Sequence, residues 1–144
     1  MIHEIHGNSY FNEPIAFEMD DGDIREMIRP YIMGRIVDVE QFFEQYHCDP
    51  DEKDTTITFK ISDELLPWNE RTLTVRFHAG RCTVMDEPGE YRVKMSIATL
   101  TTLLLGYKTA AKLQRMGRIT GNAQAIDRLD DVLLHESPYI SDYI

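Results

Sequence analysis

The sequence predicts an α+β protein, an antiparallel sheet with one polar face followed by helices that cover the other. Two observations carry this. Between residues 56 and 95, apolar and polar residues alternate in short runs separated by turn residues. Period-two alternation with one polar side marks an antiparallel sheet covered on a single face. After residue 96 the apolar period becomes helical, and strands followed by helices give an α+β layering.

The elements follow in order. Residues 1–14 are polar and turn-rich, with Gly7-Asn8-Ser9 and Asn12-Glu13-Pro14, and predict no organisation of their own. Ile15-Ala16-Phe17-Glu18-Met19 alternates as a short strand. Asp20-Asp21-Gly22-Asp23 reads as a turn, a helix of one or two turns is expected to reach Ile28, and Pro30 closes it. Residues 31–37 read as a strand with Gly34 as a bulge. Asp38 then stands at an N-cap with Gln41 three residues on, the spacing of a capping box, and Val37 and Phe42 have the spacing of a hydrophobic staple. That helix should run to about Tyr46, with a solvated loop over 47–54.

Four strands come next. Ile57, Phe59 and Ile61 alternate with Thr56, Thr58 and Lys60. Leu73, Val75 and Phe77 alternate with Thr72, Thr74, Arg76 and His78. Cys82 and Val84 follow the Ala79-Gly80 turn, and Tyr91, Val93 and Met95 follow Pro88-Gly89. Spacings of about ten residues predict a meander. Ile97, Leu100, Leu103, Leu104 and Tyr107 then recur at helical spacing up to Gly106. Ala110, Leu113 and Met116 mark a second helix stopped by Gly117, and Asn122 caps a third whose buried stripe is Ile126, Leu129, Val132 and Leu133. Met19, Met95 and Met116 are expected in the core.

A chain of 144 residues fits one domain and buries enough surface to fold without staples. Its net charge of −10 argues against a phosphate-backbone partner and disfavours an anionic membrane; it is compatible with a cationic or amine ligand, although most acidic surfaces only confer solubility. Cys48 and Cys82 are its only cysteines and form no CxxC pair, which fits a reduced cytoplasmic setting. No apolar run is long enough to span a membrane, and the N-terminus lacks the pattern of a secretory signal.

Several motifs dissolve on inspection. His3 and His6 would suit a metal only on a helix and with a third ligand, so no metal site is assigned. Asp20, Asp21 and Asp23 lack the closing glutamate of a calcium loop, because Tyr31 stands there. Gln114-Arg115-Met116-Gly117-Arg118-Ile119 approximates the Arg/Gln-x-x-Gly-x-Gly/Ala pyrophosphate stretch of acetyltransferases. It ends a helix rather than opening one, and Ile119 would hinder backbone approach, so it reads as a C-cap and turn. Trp68, the single tryptophan, lies in a loop between strands and either caps the core or walls a ligand pocket.

The last eight residues are the most unusual stretch. Tyr139, Ile140, Tyr143 and Ile144 place four large groups where chains commonly end in polar residues. Burying each would contribute roughly 1.5–3 kcal/mol. The chain end is therefore expected to be docked, either stapling the last helix or delivering its α-carboxylate to a cleft as a proton acceptor.

Arg35-Ile36-Val37-Asp38-Val39, Leu66-Pro67-Trp68-Asn69, the run from Leu100 to Gly106, Gly117-Arg118-Ile119 and the segment 137–144, in that order, resemble the C-terminal region of the Eis-like (enhanced intracellular survival) GNAT N-acetyltransferases. The resemblance implies a sterol-carrier-protein-like (SCP2-like) domain over 30–144, an about five-stranded, mostly antiparallel sheet with helices packed on one face. It makes 1–29 the tail end of a preceding GNAT module, with Asn8-Ser9-Tyr10 and Asn12-Glu13-Pro14-Ile15 as the matching stretch. Full-length relatives take acetyl-CoA in the upstream modules and acetylate amines. Their terminal carboxylate is the general base. Carried over, that role falls on the α-carboxylate of Ile144, with Asp142 and Tyr143 beside the substrate and Trp68 in the pocket wall. Family tails end on an aromatic residue, and Ile144 departs from that.

No cofactor is expected in this chain; acetyl-CoA is expected in the upstream GNAT module of the same polypeptide, and the family's general-acid tyrosine lies there too. The chain is expected to be a fragment, inactive alone and homo-oligomeric when full length. The alternatives are a stand-alone lipid- or sterol-binding module, which needs an apolar cavity between sheet and helices, and a structural oligomerisation domain.

Overall fold

The computed structural model describes residues 2–6, 25–29 and 34–134. These fall into two units, each taken by itself. The first is a two-stranded parallel pair, β1 (Ile2–His6) with β2 (Arg25–Arg29), in which Ile2 faces Arg25 and His6 faces Arg29. This overturns two expectations: residues 2–6 are ordered as a strand, and the segment reaching Ile28 is a strand rather than a helix. A five-residue stretch is too short to hold a helix by itself. The ladder partner lies 23 residues away, Ile2 pairing with Arg25, where local pattern cannot reveal it. The strand expected over 15–19 lies outside the described residues, as does 31–33.

The second unit contains α1 (Val39–Gln45), β3 (Thr55–Ser62), a 3-10 turn (Pro67–Asn69), β4 (Thr72–His78), β5 (Arg81–Met85), β6 (Tyr91–Ser96), α2 (Ile97–Leu104), α3 (Ala110–Arg115), β7 (Ile119–Gly121) and α4 (Ala123–Val132). The five strands are ordered β5-β4-β3-β6-β7. All pairings are antiparallel except the central one, where β3 and β6 run parallel with Ile57 beside Tyr91 and Lys60 beside Lys94. The sheet is thus mostly antiparallel, as expected, but it is not a meander. The fifth strand is β7, in the stretch read as a turn after Gly117.

The chain must therefore pass from β5, at one edge, over β4 and β3 to reach β6. Residues 86–90 make that crossing on the polar face, held by Thr hydroxyls. The Gly89 amide donates to Thr58 Oγ1 (2.8 Å) and the Glu90 amide to Thr56 Oγ1 (3.0 Å). Parallel connections ordinarily take a dozen or more residues. This one is short because Met85 lies level with Thr74, Thr74 with Thr58, and Tyr91 with Ile57, so the crossing is almost straight. Gly89 lies flat on β3: a Cβ there would stand 2.9 Å from the Thr56 carbonyl carbon and oxygen.

The inner face carries the core. Ile57, Phe59 and Ile61, Leu73, Val75 and Phe77, and Val93 and Met95 join Phe43 of α1, Leu100 of α2, Leu113 of α3 and Leu129 of α4 in one buried cluster. Phe43, Phe59 and Phe77 form a ring triad with centroids 5.2, 6.3 and 6.4 Å apart, and all three are fully or almost fully buried. Such aromatic pairs add about 0.5–1.5 kcal/mol beyond area burial.

The helix ends follow their caps. Asp38 accepts from the Glu40 and Gln41 amides, Ser96 from Thr99, Thr109 from Lys112 and Asn122 from Ala125. At Gly117 (φ 71°) the amides of Gly117 and Arg118 return to the Gln114 and Leu113 carbonyls, the Schellman closure of a helix C-terminus. Two expectations fail here. Val37 is 62% exposed, so no staple with Phe42 is buried, and Met116, 52% exposed, is not in the core. Met116 is the C-cap residue itself, rotated off the stripe set by Ala110 and Leu113.

Candidate functional site

The segment before α1 was expected to be a strand, yet 34–37 joins no ladder because side chains take its backbone groups. The Val37 carbonyl accepts from Trp68 Nε1 (2.8 Å) and Asn69 Nδ2 (3.1 Å). The Ile36 amide donates to Thr101 Oγ1 (3.3 Å), whose own hydrogen goes to the Ile97 carbonyl (2.8 Å). Asn69 is fully buried; its Oδ1 accepts the Val39 amide (3.0 Å) and its Nδ2 also donates to Asp63 Oδ2 (3.0 Å).

Asp63 is the hub. Its Oδ1 accepts from the Leu65 and Leu66 amides (3.0 and 3.1 Å), and both carboxylate oxygens receive Arg35 Nη2 (2.6 and 2.7 Å). Burial by itself pushes a carboxyl up. Here the hydrogen bonds from Asn69, the two amides and Arg35 outweigh it and bring Asp63 from 3.8 down to about 2. Three of the sequence segments that carried the family resemblance are thereby tied to one another: the stretch around Val37, the Trp68 loop and α2. Sequence reasoning missed Asp63 itself. Its signal was available, since an aspartate just past a strand end is placed to accept amides two and three residues on.

This knot sets an apolar corner in solvent. Val37, Leu65 (73% exposed) and Trp68 (56% exposed) stand on it together. The indole N–H is spent on Val37, so Trp68 offers only its ring face. A π face of this kind attracts a cation or stacks on a planar group. Asp63 is saturated with donors and works as an anchor rather than as an acid or base. Cys48 and Cys82 are free and buried, and burial together with the neighbouring Cys48 pushes the Cys82 thiol up, so Cys82 is not a ready nucleophile. Among the described residues no group of three His, Cys, Asp or Glu side chains gathers as a metal set. His3 and His6 lie on β1 rather than on a helix, so the helical spacing required of them as a ligand pair is not met. Of the residues assigned to the site from sequence, Trp68 is placed here. Asp142, Tyr143 and Ile144 lie outside the described residues.

A five-stranded mixed sheet, helices on one face and an open polar face opposite define an α+β domain of the sterol-carrier type. The chain belongs to the sterol carrier protein domain family, whose model matches residues 39–141. Among solved structures it is similar to a conserved protein of unknown function and probable N-acyltransferase from Enterococcus faecalis V583, at 32% identity and TM-score 0.69, over 76% of this chain and 28% of that one. It shares its fold with a GCN5-related N-acetyltransferase from Anabaena variabilis (23% identity, TM-score 0.65, 72% of this chain and 26% of that). The same holds for Eis1 from Mycobacterium abscessus (22%, TM-score 0.59, 76% and 27%). The chain thus spans a little over a quarter of the length of these relatives. No curated protein matches it. No helix among the described residues is long and apolar enough to cross a membrane.

Proposed function

We infer that this chain serves as the C-terminal domain of a GNAT-type N-acetyltransferase that moves an acetyl group from acetyl-CoA to an amine. The observation that carries this reading is the 32% identity, across 76% of the chain, to the Enterococcus faecalis probable N-acyltransferase. In this role the upstream module of the same polypeptide holds acetyl-CoA. The stretch 114–119 supplies no helix-opening glycine loop for its pyrophosphate, because Gly117 closes α3 instead of opening a helix. The Val37–Leu65–Trp68 corner supplies part of the acceptor wall, with the Trp68 ring facing the amine. The α-carboxylate of Ile144, flanked by Tyr143 and Asp142, accepts the proton that the amine nitrogen gives up as it attacks the acetyl carbonyl. That carboxylate must be ionised to do so. The complete protein acts as a cytoplasmic homo-oligomer.

The test uses the complete polypeptide with acetyl-CoA and a set of primary amines. Extending Ile144 by one glycine moves the carboxylate by one residue's reach, and kcat should fall by roughly two to four orders of magnitude, the usual worth of a positioned base. Turnover within twofold of the unmodified enzyme would remove the base from the tail. Trp68→Ala should raise the KM for the amine with a smaller change in kcat.

The lipid-carrier reading is disfavoured by one specific observation. Where α1 covers β3 and β4, the space between sheet and helix that such a ligand would need is occupied by Phe43, Phe59 and Phe77 in mutual contact. The two hollows described next lie on the other, polar face.

A further inference from the structure

The protein carries a net charge of −10, yet the outer face of its sheet gathers cations. Lys60 on β3 and Lys94 on β6 are register partners, directly side by side on the two central strands. Arg92, two residues before Lys94, is on the same face beside Thr58, and Thr120 of β7 faces Lys94. All three cations are exposed, and none has a carboxylate partner among the described residues. Elsewhere Arg35, Arg76 and Arg128 each rest on a carboxylate. Like charges directly opposite one another on adjacent strands, about 4.8 Å apart, are destabilising. A sheet face solvated by threonine alone would avoid that cost.

The face is also hollow. A groove of about 700 Å³ lies over Thr58 and Thr74, walled by the Arg71–Glu40 pair on one side and the crossing at Asp86 and Pro88 on the other. Four cations line it against two carboxylates, of which Glu40 is already paired to Arg71. A smaller adjoining hollow of about 360 Å³ shares Lys60, Arg71 and Lys94 and adds Glu70. Its volume is that of a small-molecule site. The overall negative charge repels an extended polyanion and an anionic membrane surface.

We propose that this groove binds a phosphate-bearing small molecule, with Lys60, Lys94 and Arg92 as its anion contacts. Two ammonium groups side by side and one guanidinium fork can surround a phosphate or pyrophosphate group, and Thr120 adds a hydroxyl donor. The site is separate from the Trp68 corner and does not depend on the acetyl-transfer reading.

The test measures thermal shift and calorimetric binding of inorganic phosphate, pyrophosphate and ATP at constant ionic strength, with sodium chloride as the screen for general salt effects. Saturable binding with a rise in Tm is expected, strongest for pyrophosphate or ATP. Lys60→Gln with Lys94→Gln should weaken it about tenfold or more. The same pair of changes should leave the ligand-free Tm equal to or above that of the unaltered protein, because it removes repulsion. Arg92→Gln provides an independent second variant with the same expected loss of binding. Three results would overturn the proposal: no saturable binding at millimolar ligand, binding undiminished in both variants, or a ligand-free Tm that falls when the lysines are neutralised. Lysine-dependent binding of an acidic polypeptide such as polyglutamate without any of pyrophosphate or ATP would replace the small molecule by an acidic protein segment.

Discussion

Replacing Asp63 by Asn keeps the shape of the hub and removes its charge. Asn can still offer one oxygen to the Leu65 and Leu66 amides. Its NH₂ group then meets two donors, Arg35 Nη2 and Asn69 Nδ2, which now approach Oδ2 at 2.7 and 3.0 Å. Breaking a fully buried ion pair costs about 3–5 kcal/mol. Arg35 is 36% exposed and can turn to water, whereas Asp63 is 1% exposed at its side chain, so about 2–3 kcal/mol is the better figure. The carboxyl's displacement gives a consistent value: a drop from 3.8 to about 2 corresponds to about 2 kcal/mol. The sign follows from linkage. The folded value lies below the unfolded one, so this stabilisation is complete above 3.8 and is lost as pH falls towards about 2. Urea unfolding followed through Trp68, the sole tryptophan and itself bonded to this knot, reads the effect directly. The gap between the unaltered chain and Asp63→Asn should be about 2–3 kcal/mol at neutral pH and should shrink below about pH 4. A gap under about 0.5 kcal/mol, or one equally large at about pH 2.5, would refute the assignment of Asp63 as a charged anchor.

Other changes should act through single named contacts. Gly89→Ala places a methyl 2.9 Å from the Thr56 carbonyl, which must lift the crossing off the sheet and cost about 1–3 kcal/mol, read as a lower denaturant midpoint. Ala79→Asn should stabilise by about 0.5–1 kcal/mol, because Ala79 (φ 49°) and Gly80 (φ 78°) are both left-handed in a two-residue hairpin turn, where asparagine is at ease; a loss of stability would contradict that turn. Asn122→Ala removes the acceptor for the Ala125 amide and should cost about 1 kcal/mol, while Asn122→Ser restores most of it. Phe59→Ala opens the ring triad and should cost about 3–5 kcal/mol, measurable in the same urea titration.

The inner core was legible because strand and helix periods declare their own buried faces. Ile57, Phe59 and Ile61, and later Ile126, Leu129 and Val132, are buried as their spacing requires. The caps at Asp38 and Asn122 were legible because a cap is a local event. Pairing order was not. Nothing around Pro88-Gly89 tells whether the next strand joins β5 or crosses to β3; that depends on Thr56 and Thr58, some thirty residues earlier, offering hydroxyls to the crossing amides. Sequence separation also hid Asp130 of α4, which accepts the Ala110 and Ala111 amides that open α3. Trp68 was noticed as a lone loop tryptophan, but its role as a ring face without a free N–H depends on Val37, thirty-one residues away. The basic groove was overlooked because Lys60, Arg92 and Lys94 each look like ordinary solvated strand positions until β3 and β6 are set side by side.

The strap over β3 also dictates a sequence of assembly. Residues 86–90 have nothing to lie on until Thr56 and Thr58 are fixed, and these are fixed by the hairpin with β4. Strands β3, β4 and β5 join through near neighbours, whereas β6 and β7 are distant additions whose loop closure comes at greater entropic expense. A nascent or refolding chain should therefore build its sheet from the hairpin side first. Any lesion that loosens the strap should slow the capture of the last two strands more than it loosens the finished protein.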